Sequence, residues 1–78
     1  MKLEIITPDT TLYSGEVKLV QLPGSTGSFE ILKNHAPLVS VLTKGRIKVE
    51  DDKDQKFYFD IKGGVIEVLK NRVLVLAE

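Results

Sequence analysis

In Lys56-Phe57-Tyr58-Phe59-Asp60-Ile61, the residues Phe57, Phe59 and Ile61 alternate with Lys56, Tyr58 and Asp60. Successive side chains of a β-strand point to opposite faces. A period of two therefore predicts a strand with Phe57, Phe59 and Ile61 buried and the other set toward water. Ile47 and Val49 repeat the pattern against Arg46, Lys48 and Glu50. Further strand-like runs cover residues 3–7, 16–22, 28–32, 38–43, 65–69 and 72–77, and β-branched residues, which suit a pleated surface, are frequent in them. Val73-Leu74-Val75-Leu76 is apolar on both faces, so both sides are expected to be covered, by a second sheet with edge packing or by a partner subunit.

Turn-forming residues separate these runs at short intervals: Pro8-Asp9, Ser14-Gly15, Pro23 through Gly27, Lys33 through Pro37, Lys44-Gly45, Asp51 through Asp54, Gly63-Gly64 and Lys70-Asn71. Gly and Asn supply the positive φ that tight hairpins require. The polar stretch from Asp51 to Gln55 reads as an exposed hairpin loop. No segment follows a helical period. The expected fold is all-β: a two-layer β-sandwich, or flattened barrel, of about eight to ten short, mostly antiparallel strands. Residues 1–78 are expected to form one domain.

Composition narrows the function. The chain has no cysteine, so neither a disulfide nor a thiolate is available, and stability must come from apolar packing or from a covering partner. Its 42% hydrophobic content is that of a globular chain. Eleven basic and eleven acidic side chains give a formal net charge of zero, without the cationic excess that displaces counterions from phosphates, so no nucleic acid is expected as partner. Glu4 and Pro8 interrupt any apolar signal core near the start, which fits a bacterial cytoplasmic protein and equally a processed organellar chain. The apolar run from Val73 to Ala77 falls far short of the ~20 residues that span a bilayer.

Candidate chemistry reads mostly as architecture. His35 is the one histidine, poor material for a catalytic zinc site, and no Gly-x-Ser-x-Gly elbow marks Ser14, Ser25, Ser28 or Ser40 as a nucleophile. The Gly24-Ser25-Thr26-Gly27 loop leads into a strand, so the helix dipole of a phosphate cradle is missing. Asp51 and Asp52 sit on a polar hairpin tip with Lys53 beside them, which reads as a solvated turn and not as an acid–base pair. No catalytic residue, metal or cofactor is expected. The segment from Phe29 to Val39 is the most unusual. It packs a strand end, a polar turn stiffened by Pro37 and a second apolar strand together, and a stiff turn loses little entropy on docking.

These residues resemble the N-terminal β-sandwich domain of the epsilon subunit of rotary ATP synthases. The resemblance runs from Ile5-Ile6-Thr7-Pro8 and Leu12-Tyr13-Ser14-Gly15-Glu16-Val17 through Leu22-Pro23-Gly24, Gly27-Ser28-Phe29 and Asn34-His35-Ala36-Pro37-Leu38. It ends with Gly63-Gly64-Val65-Ile66-Glu67-Val68 and Val75-Leu76-Ala77. The combination carries it, not any one piece. The resemblance implies a non-catalytic central-stalk subunit that binds the gamma subunit and the c-ring and couples proton transport to ATP synthesis. The membrane is met only through the complex, at the cytoplasmic face of the bacterial plasma membrane. Gamma contact is implied for Ile6 and Thr7 near the turn Asn34, His35, Ala36 and Pro37. Contact with the c-ring is implied for Ser25, Thr26, Gly27, Ser28, Phe29 and Glu30.

The family usually continues into a C-terminal helical hairpin, which these residues do not include. Glu30 stands where the family commonly has Gly, which puts a positive φ there in question, and Lys33 stands where it has Pro. Both charges are expected to pair with polar groups on the partners. The competing reading is a free-standing β-sandwich that binds a ligand such as a sugar or peptide. Three Phe, two Tyr and no Trp leave it little stacking surface.

Overall fold

The computed structural model describes residues 1–78 and contains eight strands and no helix. They are β1 (Lys2–Ile6), β2 (Thr11–Gly24), β3 (Gly27–Leu32), β4 (Leu38–Leu42), β5 (Gly45–Asp51), β6 (Lys56–Ile61), β7 (Gly64–Leu69) and β8 (Arg72–Ala77). The strand order is β1-β8-β7-β4-β2-β5-β6, with β3 on β2 and with β1 closing back onto β2. Every pair is antiparallel except β1 with β8.

The sheet folds over because β2 bends. Its 14 residues would reach about 46 Å if straight, but the molecule is 27 Å along its longest axis. Residues 11–16 pair with β1, residues 17–21 with β5 and residues 19–24 with β3, and a register shift between Val17 and Leu19 marks the bend. Strands β4, β7, β8 and β1 form a front layer, and β3, β2, β5 and β6 a back layer. Leu3, Ile5, Ile66, Val68, Val73 and Val75 of the front meet Val20, Leu22, Ile31, Ile47, Val49 and Ile61 of the back in one core of 16 buried residues.

Two sequence expectations change at this level. Ser14-Gly15 is no turn but the middle of the first half of β2. A Cβ at Gly15 would lie 3.1 Å from the Tyr13 hydroxyl oxygen, so the glycine admits that ring and does not reverse the chain. Phe57 was expected to be buried but is 36% exposed, packed with Phe59 on Tyr13 at ring separations of 5.6 and 5.9 Å. Burial and, secondarily, the carboxylates of Asp51 and Asp52 push the Tyr13 phenol above its ordinary pKa. The double glycine does close a tight approach: at Gly64 (φ 153°) a Cβ would stand 2.3 Å from the Leu76 carbonyl oxygen.

Candidate interface face and hairpin tip

Register fixes which side chains share the outer face of the front layer. Val41, Val65, Leu76 and Ile6 are partners in sequence across β4, β7, β8 and β1, and form one row. The next row is Val39, Glu67, Leu74 and Glu4, and the third is Leu69, Arg72 and Lys2. Five of the nine exposed large apolar side chains lie here: Val39 (70% exposed), Val41 (64%), Val65, Leu69 and Leu76 (48%). Exposed apolar groups gathered on one face mark an interaction surface more than scattered ones do. This explains Val73-Leu74-Val75-Leu76: Val73 and Val75 enter the core, whereas Leu74 is half-covered and Leu76 exposed. No second layer covers that side.

Both concavities of the molecule open on this face. One, of about 220 Å³, is lined by Lys2, Glu4, Glu67, Leu69, Arg72, Val73 and Leu74. The other, of about 410 Å³, lies among Ile6, Thr7, Pro8, Gly64, Val65 and Leu76. Neither contains an aromatic side chain.

The outer face of the back layer differs. Arg46 is opposite Asp60 in the ladder, with Nε 3.3 Å from the carboxylate, and its guanidinium lies 5.7 Å from the Tyr58 ring centre. Glu50 is opposite Lys56, and Lys18 reaches both Glu50, at 3.3 Å, and Asp54. Hydrogen bonds to Asp54 and then Glu50 raise the pKa of Lys18, and the hydrogen bond from Lys18 lowers that of Asp54.

The residues expected to touch gamma are not brought together. Ile6 and Thr7 lie at one end of the front layer, and the turn 33–37 lies at the other. Ile6 shares a row with Val41, so Pro37 stands about 13 Å away along the strands and about 14 Å across them. They occupy diagonal corners of the front face. The expectation that Ile6 and Thr7 lie near the turn is corrected, because β1 and β4 are opposite margins of that layer. Each corner is internally braced. The Thr7 hydroxyl accepts from the amides of Asp9 (3.2 Å) and Thr10 (3.0 Å), shaping the loop into β2. Asn34 adopts a left-handed φ of 65°, and its amide donates to Asn71 Oδ1 at 3.0 Å, which ties the turn to the β7–β8 hairpin. That hairpin turns through Lys70 and Asn71, both at positive φ. His35 is exposed, and its Nδ1 donates to the Ala36 carbonyl oxygen at 2.7 Å.

Ser25 and Thr26 form the two-residue tip of the β2–β3 hairpin, both exposed, with Gly24 paired to Gly27 (φ 129°). Pro23 and Gly24, read as turn, belong to the ladder. Gly24 is required there because a Cβ would lie 2.9 Å from the Phe29 ring, which packs against the core. Gln21 Nε2 donates to Ser28 Oγ at 3.2 Å, and Glu30, its ladder partner, is exposed. Glu30 has no positive φ, so replacing a glycine there carries no backbone strain. Lys33 has an acidic neighbour in its own chain: its Nζ lies 3.2 Å from Asp52, both side chains being exposed.

Residues 1–78 match the model of the ATP synthase delta/epsilon chain β-sandwich domain throughout. The chain belongs to this family. The ATP synthase epsilon chain of Caulobacter vibrioides is 40% identical over 78 residues, covering 100% of this chain and 90% of that protein. The epsilon chain of Chlorobium limicola is 40% identical over 77 residues, 99% of this chain and 88% of the relative. In fold, the chain is similar to one in the Euglena gracilis mitochondrial ATP synthase assembly with its c-ring. The TM-score is 0.90 at 22% identity, over 96% of this chain but 48% of that one. Of the features that make this epsilon-type sandwich a candidate interface, sequence reasoning missed the rows on the front face. Alternation separates inside from outside, but which outward residues become neighbours depends on register.

Proposed function

We propose that residues 1–78 act as one epsilon-type unit, a non-catalytic central-stalk subunit of a rotary ATP synthase. The unit docks against the gamma subunit and rests on the c-ring, and so participates in coupling proton transport to ATP synthesis. The family match over the whole chain carries this reading. The front face, bounded by the Ile6–Thr7 corner and the Asn34–Pro37 corner, would receive gamma. Its exposed Val39, Val41 and Leu76 favour a protein partner, and the absence of aromatics from either concavity disfavours a sugar. The Ser25–Thr26 tip and the strand from Gly27 to Glu30 would meet the polar loops of the c-ring. No helix of the chain is long and apolar enough to cross a membrane. A place at the cytoplasmic face of a bacterial membrane would come from the complex.

Gel filtration of the chain with the gamma subunit of the same complex tests this. Co-elution is the expected result. Separate elution, together with binding of a sugar or peptide by the chain alone, would support the competing ligand-binding reading.

A further inference from the structure

We infer that the front face sets the register of its partner electrostatically: the gamma surface it receives carries cationic side chains opposite Glu4 and Glu67, and carboxylates opposite Lys2 and Arg72. This rests on the gamma-docking reading above and adds what the docked surface must look like.

Lys2 and Arg72 are register partners on neighbouring strands, about 4.8 Å apart in the ladder direction. Like charges in such positions repel. None of the five ion pairs in the molecule relieves them. Glu16, the neighbour of Lys2 on β2, is held by the Met1 ammonium at 3.1 Å. One row away, about 6.6 Å along the strands, Glu67 and Glu4 flank Leu74 with no cation bound to either. Lys2 and Glu4 are half-buried, so each is partly desolvated without a partner in its own chain. The depression of about 220 Å³ lies between these rows and is lined by all four charges, which gives an entering side chain a place. Ordered from Ile6 toward Lys2, the face reads apolar, acidic, basic.

A second copy of the chain cannot complete that pattern. A two-fold axis along the strands lays each row on its own kind, acid on acid and base on base. An axis along the rows that matches acid to base leaves the apolar row in water. An isologous dimer must be self-complementary, and this face is not. Its zero net charge also disfavours an anionic lipid surface. The occupant is a different protein surface with the opposite order of charge.

The test is the affinity of the full chain for the purified gamma subunit, measured at low and high salt. The charge-swapped variant carrying Lys2→Glu, Glu4→Lys, Glu67→Lys and Arg72→Glu keeps the net charge and is expected to bind about tenfold or more weakly at low salt, with a smaller deficit at high salt. The milder Glu4→Gln with Glu67→Gln is expected to weaken binding less, and it serves if the swapped chain loses its β-sheet spectrum. Exchanging Arg46 and Asp60 on the back face is expected to change affinity by no more than about twofold. If wild type binds gamma and a folded front-face variant binds equally well, the charge register is wrong while the docking reading stands. If wild type does not bind gamma, both fall.

Discussion

On the back face of the sandwich the ladder sets Arg46 beside Asp60 and Glu50 beside Lys56, whereas on the front it sets Lys2 beside Arg72 and leaves Glu4 and Glu67 on either side of Leu74. On the back face Arg46 is paired with Asp60, and Lys18 with Glu50 and Asp54, within the chain itself. The front face gathers exposed valine and leucine and keeps like charges together. Unlike cross-strand pairs stabilise a sheet by a few tenths of a kcal/mol and like pairs work against it. The chain therefore retains, on one side, an arrangement that folding by itself does not favour. Such an arrangement is consistent with a surface shaped for something outside the chain.

The contrast depends first on the front layer existing. Gly64→Ala would drive a Cβ into the Leu76 carbonyl at a φ of 153°. It is expected to cost about 3 kcal/mol or more, a large share of a small domain's stability. Thermal unfolding by circular dichroism measures this, and a melting point near wild type would show that β7 and β8 close by other means. Next comes the apolar row. Leu76→Asp is expected to weaken gamma binding by about 2 kcal/mol or more with little change in melting temperature, because the side chain is already exposed. Tyr58→Asp on the back face should leave binding intact. Equal losses from both faces would erase the distinction drawn here.

A smaller effect concerns the corner of the front face. Asn71→Gly keeps the positive φ but removes the oxygen that accepts from the Asn34 amide, and is expected to cost about 1 kcal/mol in urea titration. Faster hydrogen exchange at Asn34 is the local check. The least effect belongs to the back face. Asp54 has its pKa lowered by Lys18, so the stability it contributes is present above the unfolded-state pKa and lost as pH falls through the folded one. The wild type should exceed Asp54→Asn slightly at neutral pH, and the difference should shrink as pH falls below about 4 and be gone once the pH is below the lowered Asp54 pKa. A difference that persisted in acid would mean that the Lys18–Asp54 contact is not the source.

Much of the fold was legible because alternation is a local property. Ile47, Val49 and Ile61 were assigned to the core from their spacing, and Lys70-Asn71 and Asp51 to Gln55 were assigned to hairpins from their turn chemistry. The Asp51 carboxylate indeed accepts from the amides of Lys53 (2.8 Å) and Gln55 (2.9 Å). Gly15 was misread because a glycine that admits a ring looks in sequence like a glycine that turns a chain. Placing Ile6 and Thr7 near Asn34 failed because nothing local says that β1 and β4 are opposite margins of one layer.

What the sequence determined by itself was the class of structure: strands, their inward faces, their turns, and a family whose motifs lie along the whole chain. Those signals arise from each residue and its immediate neighbours, through side-chain direction and backbone φ. The tertiary structure decided which outward residues stand together. Lys2 meets Arg72 because β1 runs parallel to β8 in one register. Val41, Val65, Leu76 and Ile6 align because four strands distant in sequence share a ladder. A slip of one residue would turn these rows inward, and only the packed core, which holds Leu3, Ile5, Val73 and Val75 inside, prevents it.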